Sequence, residues 1–145
     1  MDLLLINPAH IIRGRNIWKK IDSSLPPLGL GYIASFLEQK GIKVNIFDVA
    51  ALGADAAEFS GVLKNLGPRF VGITATTVLI DAATELAKIT RQVLPEAGIV
   101  FGGVHSTILP DEVLSNDCVD YVVRGEGEWT LFELMQGQAP QRIAG

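Results

Sequence analysis

No part of this 145-residue sequence narrows the fold more than the stretch from Phe70 to Pro110. An apolar run, FVGIT, leads into the small hydroxyl residues Thr74, Thr76 and Thr77. A stretch with helical period follows as far as Pro95, and a second apolar run ends in the pair Gly102-Gly103. Apolar strand, amphipathic helix, apolar strand is the pattern of a parallel β-α-β unit. In such sheets ligands sit beyond the carboxyl ends of the strands. Thr74, Thr76, Thr77, Gly102 and Gly103 are therefore expected on the walls of one crevice.

The flanking sequence extends the same alternation. Asp2 to Ile6 is a continuous apolar run suited to a strand covered on both faces. Pro27 to Lys40 reads as a helix opened by proline, with Leu30, Ile33, Phe36 and Leu37 on one face. Gly41 stops it, and Lys43 to Asp48 alternates Val44 and Ile46 as a second strand. Ala56 to Leu66 carries Phe59, Val62, Leu63 and Leu66 at helical spacing. Phe70 to Thr74 is the third strand, Leu79 to Leu94 a helix turning Ala83, Leu86, Ile89 and Val93 to the sheet, and Ile99 to Phe101 the fourth strand. A short helix from Pro110 to Leu114, a fifth strand from Val119 to Val123 and a helix from Trp129 to Met135 complete the series. Five strands alternating with five helices predict an α/β fold. Its sheet is parallel, in the flavodoxin-like (Rossmann-like) order 2-1-3-4-5, with helices on both faces. Residues 1–136 are read as one domain, and 137–145, with Gly137, Pro140 and Gly145, as the start of a linker.

Composition removes several functions. A formal net charge of −4 argues against non-specific nucleic-acid binding. A lone Cys118 excludes an intrachain disulfide or a thiolate cluster, and reads as a small core hydrophobe. No apolar run approaches the ~18 residues of a membrane span, and no positive region precedes the first apolar stretch, so a cytoplasmic setting is expected. The irregular stretch from Asn7 to Leu25 holds His10, Arg13, Arg15, Lys19 and Lys20 against one acid, Asp22. It fits either a solvated loop or a basic contact for a phosphate or a neighbouring domain.

Candidate chemistry is sparse. Gly29-x-Gly31-x-x-Ala34, with Asp48 beyond it, imitates a dinucleotide fingerprint, but that motif must follow the first strand directly. Two prolines instead place these glycines inside a helix, where close packing against the sheet is the plainer explanation. Asn7, Thr74 and Arg124 stand where a phosphoacceptor receiver domain needs acids and a lysine, and Asn7-Pro8-Ala9 is no flavin phosphate loop. His10 and His105 lack neighbours at metal-ligand spacing. Glu126 and Glu128 flank a helix start, where carboxylates favour the positive end of the dipole. What remains is a mouth of backbone and small hydroxyls, able to hold a ligand and without groups for proton transfer. The competing explanation is that the glycines serve a tight turn and the threonines cap the next helix.

The segments PPLGLGYIASFLEQKGIKVNIFD, FVGITATTVLIDAATELAKITRQVLP, IVFGGVHSTILPDEVL and DYVVRGEGEWTLFEL, in this order, resemble the cobalamin-binding domain of cobalamin-dependent radical S-adenosylmethionine (SAM) enzymes. The likeness spans about residues 3 to 135. It implies a corrin ring over the carboxyl edge of the sheet, with the nucleotide tail entering beside the third and fourth strands. Thr74, Thr76 and Thr77 match the hydroxyl-bearing turn. Gly102, Gly103, Val104 and His105 fall in the family's G-G-x-H-x-T pattern, and Gly125 and Glu126 in the strand-five turn RGEGE. The cobalt-ligating D-x-H-x-x-G motif is absent, with Pro8, His10 and Arg13 in its place; the resemblance implies a cobalt without a protein lower ligand, His10 being the one residue placed to serve as an alternative.

The cysteine triad for a [4Fe-4S] cluster is missing too, while Gln141 to Gly145 resembles the opening of the segment leading into a radical SAM domain. The resemblance therefore implies a cobalamin module without catalytic groups of its own. Its partner is a C-terminal radical SAM domain of the same polypeptide, which carries the [4Fe-4S] cluster and S-adenosylmethionine. That parent enzyme transfers methyl groups or modifies a tetrapyrrole. The alternatives are a degenerate module serving as an interaction or sensor domain, and a dinucleotide-binding domain. Gly103→Val is expected to abolish cobalamin binding and leave the fold intact.

Overall fold

The computed structural model describes residues 1–9 and 26–143. His10 and nearly all of the basic stretch lie outside the described residues, so neither expectation for them is addressed by the structure. The sheet contains β1 (Leu3–Asn7), β2 (Val44–Asp48), β3 (Phe70–Thr74), β4 (Gly98–Gly102) and β5 (Tyr121–Val122). All pairings are parallel and the order is β2-β1-β3-β4-β5, as expected. The helices are α1 (Leu28–Gln39), α2 (Val49–Leu52), α3 (Ala56–Leu66), α4 (Ile80–Val93), α5 (Val104–Ile108), α6 (Pro110–Leu114) and α7 (Glu128–Met135).

Successive side chains of a strand point to opposite faces, and β1 feeds two separate cores in this way. Leu4 and Ile6 join Val71, Ile73, Ile99 and Phe101 beneath Phe59 and Leu63 of α3 and Ala83, Leu86 and Ala87 of α4. Leu3 and Leu5 join Val100 and Val123 beneath Leu30 and Leu37 of α1 and Leu131 and Leu134 of α7. Covering on both faces explains why the central strands read as unbroken apolar runs.

The caps explain the best-defined helix. Asp55 accepts from the Ala57 and Glu58 N–H groups at 2.9 Å, and the Asp55 N–H in turn donates to the Glu58 carboxylate at 2.9 Å. Gly67 then closes α3 with φ +52°. This reciprocal box satisfies donors that the first helical turn leaves open.

The structure departs from the sequence expectation at five places. Two short helices, α2 and α5, interrupt the strict alternation. On β2, Phe47 is buried and Ile46 is half exposed, because α2 and α3 cover one face of this edge strand while the other is only partly screened. β5 is confined to Tyr121–Val122, shorter than the expected Val119 to Val123, and Cys118 lies in the turn before it, partly buried against the first core as expected. The tail forms a 3₁₀ turn at Pro140–Arg142, and Ile143 packs against the second core, where no packing was expected. Gly29 and Gly31 do lie inside α1, but a Cβ on either would meet nothing within 4 Å, so close packing is not their reason.

Candidate functional site: a glycine-walled groove at the carboxyl edge

The second core is incomplete. On the face covered by α1 and α7, β3 presents Gly72 where the other face has Val71 and Ile73. Its neighbour β4 presents only Val100 between Gly98 and Gly102. Register sets Gly72 beside Leu5 and Val100, and Thr74 beside Gly102. The sheet surface is therefore low along this row, and the helices do not descend to fill it. A shallow groove results, with a cavity volume of about 60 Å³ and a side open to solvent. Its floor is Leu5, Gly72 and Val100, its helical wall Leu30, Ile33 and Leu131, and its mouth Thr74, Gly102, Gly103 and Gly125.

The two mouth glycines of β4 differ. Gly103 has φ +93°, and a Cβ there would lie 2.8 Å from the Ala75 carbonyl oxygen and 2.8 Å from Thr74 Oγ1. Gly103 therefore serves the strand-to-helix turn itself, which L side chains would strain. Gly102 has no positive φ, and its Cβ would meet only the Val123 carbonyl oxygen at 4.0 Å. Open space for a ligand lies at Gly102. The expectation that Gly103→Val would spare the fold is thus corrected, because valine there collides with the chain's own backbone.

A hydrogen-bonded seam fixes the mouth. The Ala75 N–H donates to the Gly102 carbonyl at 2.9 Å, and the His105 N–H donates to the Ala75 carbonyl at 3.1 Å. The Thr107 hydroxyl donates to the Gly103 carbonyl at 2.9 Å and accepts from the Gly125 N–H at 3.0 Å. The turns after β3, β4 and β5 are thereby joined into one rim.

The residues singled out in the sequence divide into two sets. Thr74, Gly102, Gly103 and Gly125 converge on the groove. Thr76, Thr77, Val104 and Glu126 are exposed on the surrounding turns, with Val104 61% exposed. Thr76 makes no capping bond with its side chain, so the threonine turn is not explained as a helix cap. His105 does not line the groove. It is 2% exposed, with Nδ1 3.2 Å from Thr77 Oγ1 and Nε2 3.5 Å from Glu112 Oε1. Gly127, of the RGEGE turn, also lines the groove, while Gly72, Val100 and the helical wall escaped the sequence reading. A glycine inside a buried strand marks close approach by another group, and at Gly72 that group is the Leu5 side chain, 2.9 Å from where a Cβ would stand.

Among the described residues no group of three His, Cys, Asp or Glu could hold a metal, and no helix is long and apolar enough to cross a membrane. The groove offers apolar walls, close backbone and few polar groups, which suits a flat heterocycle with a polar tail. The residues present therefore fit a large organic cofactor held by shape. Such a sheet, with a backbone-walled groove at its carboxyl edge, defines a cofactor-holding domain.

The family model for the B12 binding domain matches residues 14–135. The chain belongs to the B12-binding domain family, and cobalamin is the cofactor of that family. It is 35% identical, over 98% of its length, to an uncharacterized methyltransferase of Pyrococcus horikoshii, of which it covers 30%. It is 33% identical, over 93% of its length, to the anaerobic magnesium-protoporphyrin IX monomethyl ester cyclase of Rubrivivax gelatinosus, covering 24%. The chain thus spans less than a third of these relatives. The fold also matches the radical SAM methyltransferase TsrM of Kitasatospora setae, with TM-score 0.81 and 21% identity over 99% of this chain and 27% of that one. The cobalamin-dependent radical SAM enzyme OxsB with aqua-cobalamin bound gives TM-score 0.78 and 18% identity over 94% of this chain and 18% of that one.

Proposed function

We propose that this chain is the cobalamin-holding module of a cytoplasmic radical SAM enzyme that transfers a methyl group or modifies a tetrapyrrole. The observation that carries the reading is the groove between the sheet and helices α1 and α7, lined by Gly72 and open at Gly102. In this reading the cofactor's nucleotide tail lies along Gly72, Val100 and Gly102, against Leu30 and Leu131. Thr74 and the backbone of Gly103 and Gly125 face its polar portion, and Thr76, Val104 and Glu126 lie on the rim around the ring. Cobalamin, when bound, supplies a cobalt centre that carries the transferred group. The chain's own residues bind it, orient it and exclude water from its tail, and none of them moves a proton.

A radical SAM domain with a [4Fe-4S] cluster and S-adenosylmethionine completes the enzyme in this proposal, and residues 137–145 lead toward it from a binding domain formed by residues 1–136. The names of the methyltransferase and cyclase relatives support these two reaction classes.

Titration of the 145-residue protein with hydroxocobalamin, followed by visible absorbance and thermal unfolding, tests the reading. A saturable spectral change with a rise in Tm is expected. Colourless protein after gel filtration, with an unchanged Tm, would reject it.

A further inference from the structure

We propose that His105 is a positioning residue that holds the threonine turn in the shape the cofactor site requires; this rests on the cobalamin reading above. The residue is not a ligand contact, since its ring lies outside the groove and is 2% exposed. Both ring nitrogens nevertheless face groups on other elements. Nδ1 is 3.2 Å from Thr77 Oγ1, in the turn after β3, and Nε2 is 3.5 Å from Glu112 Oε1 on α6.

A carboxylate only accepts, whereas a threonine hydroxyl can donate or accept. With its proton on Nε2 the ring accepts the Thr77 O–H at Nδ1, and with its proton on Nδ1 it donates to Thr77 Oγ1, so the Thr77 bond holds in either tautomer. At 3.5 Å the Nε2 atom makes no hydrogen bond, and it is the one buried side-chain polar atom without a partner among the described residues. Leaving a buried polar atom without a partner costs free energy and calls for a reason. The Thr77 bond is thus the ring's firm attachment, and the Glu112 contact a looser one.

The attachment bears on the groove through the backbone. The His105 N–H donates to the Ala75 carbonyl, so ring and main chain of one residue grip the turn at Ala75 and at Thr77. Thr74, which lines the groove, immediately precedes them, and Thr74 Oγ1 lies 2.8 Å from where a Cβ on Gly103 would stand. A turn shifted by even 1 Å would close or splay that mouth.

Side-chain mimicry separates positioning from plain core filling. In His105→Asn a polar atom remains at the place of Nδ1 and can bond Thr77. In His105→Gln it remains at the place of Nε2, and in His105→Ala neither remains. Two measurements on the 145-residue protein are compared: amide hydrogen exchange at Ala75, Leu79 and His105 without cofactor, and hydroxocobalamin affinity. His105→Ala and His105→Gln are expected to speed exchange at these amides about tenfold and to raise Kd about tenfold. His105→Asn and the wild type should agree within about threefold in both. Exchange accelerated equally across β1 and α3 in His105→Ala would overturn the inference in favour of a general packing role. So would Asn and Gln variants that behave alike. A wild type that binds no hydroxocobalamin overturns the cofactor reading itself, whereas a wild type that binds and a His105→Ala that binds equally well overturn only the positioning role.

Discussion

Replacing Gly102 with valine sets ligand binding against stability. The position has an ordinary φ and lies at the end of β4, and its Cβ would face open groove, 4.0 Å from the Val123 carbonyl oxygen. Valine suits strands, so the fold should gain up to about 1 kcal/mol from the loss of glycine's freedom. Its three side-chain carbons would occupy space that the bound tail needs. Extra carbons forced into a packed site cost about 1–3 kcal/mol, which corresponds to a roughly 5- to 150-fold increase in Kd. Gly103→Val should behave in the opposite manner. A valine at φ +93°, 2.8 Å from a backbone oxygen, carries about 1–3 kcal/mol of backbone strain before the collision is counted. A fall in Tm of several degrees follows. Hydroxocobalamin titration and thermal unfolding of the two variants side by side read both quantities. Wild-type affinity in Gly102→Val, or wild-type Tm in Gly103→Val, would refute the account of the groove mouth.

Two further outcomes follow from the caps and the rim. Asp55→Ala removes the acceptor for the Ala57 and Glu58 N–H groups and should cost about 1 kcal/mol in urea unfolding, with cofactor affinity unchanged. Thr107→Val preserves shape but deletes the bonds to Gly103 and Gly125. It should weaken hydroxocobalamin binding several-fold, read by the same titration, with Tm lowered by only a few degrees.

What could be read in the sequence follows the physics of each element. β3 and α3 begin and end where expected, the strand because burial on both faces makes it an unbroken apolar run, the helix because Asp55, Glu58 and Gly67 mark its ends. α2 has four residues, too few for a period to show, and depends on Asp48 accepting from the Ala51 N–H. α5, with sequence VHSTI, lacks strong helix formers; it is held by Ser106 and Thr107 hydroxyls bonding back to Gly102 and Gly103 and by the tertiary bond of His105 to Ala75. The position of the groove's mouth was legible because Thr74, Gly102 and Gly103 end the strands of a parallel sheet, where its crevice opens. Its helical wall was not, since Leu30 and Leu131 read as ordinary core residues. Helical period tells which way a side chain points, and it is silent on whether the opposite surface rises to meet it. His105 was placed among the cofactor contacts by the G-G-x-H-x-T pattern, yet its ring is buried between Thr77 and Glu112 and does not line the groove.

The meeting of α1 and α7 has a thermodynamic consequence. Phe36 of α1 stands 5.0 Å from Trp129 and 6.5 Å from Phe132 of α7, with Lys40 Nζ 5.1 Å from the Trp129 ring. This aromatic clasp joins two helices remote in sequence, α1 and α7, which together supply the groove's wall through Leu30, Ile33 and Leu131. The receptor for the cofactor therefore comes into being only with the whole domain, and a partly unfolded chain has no remnant of it to offer. Occupancy should then raise the unfolding free energy of every element together, by about 2.7 kcal/mol when free cofactor stands at a hundred times its Kd. Amides of α3, on the far side of the sheet, would gain protection in step with those of α7.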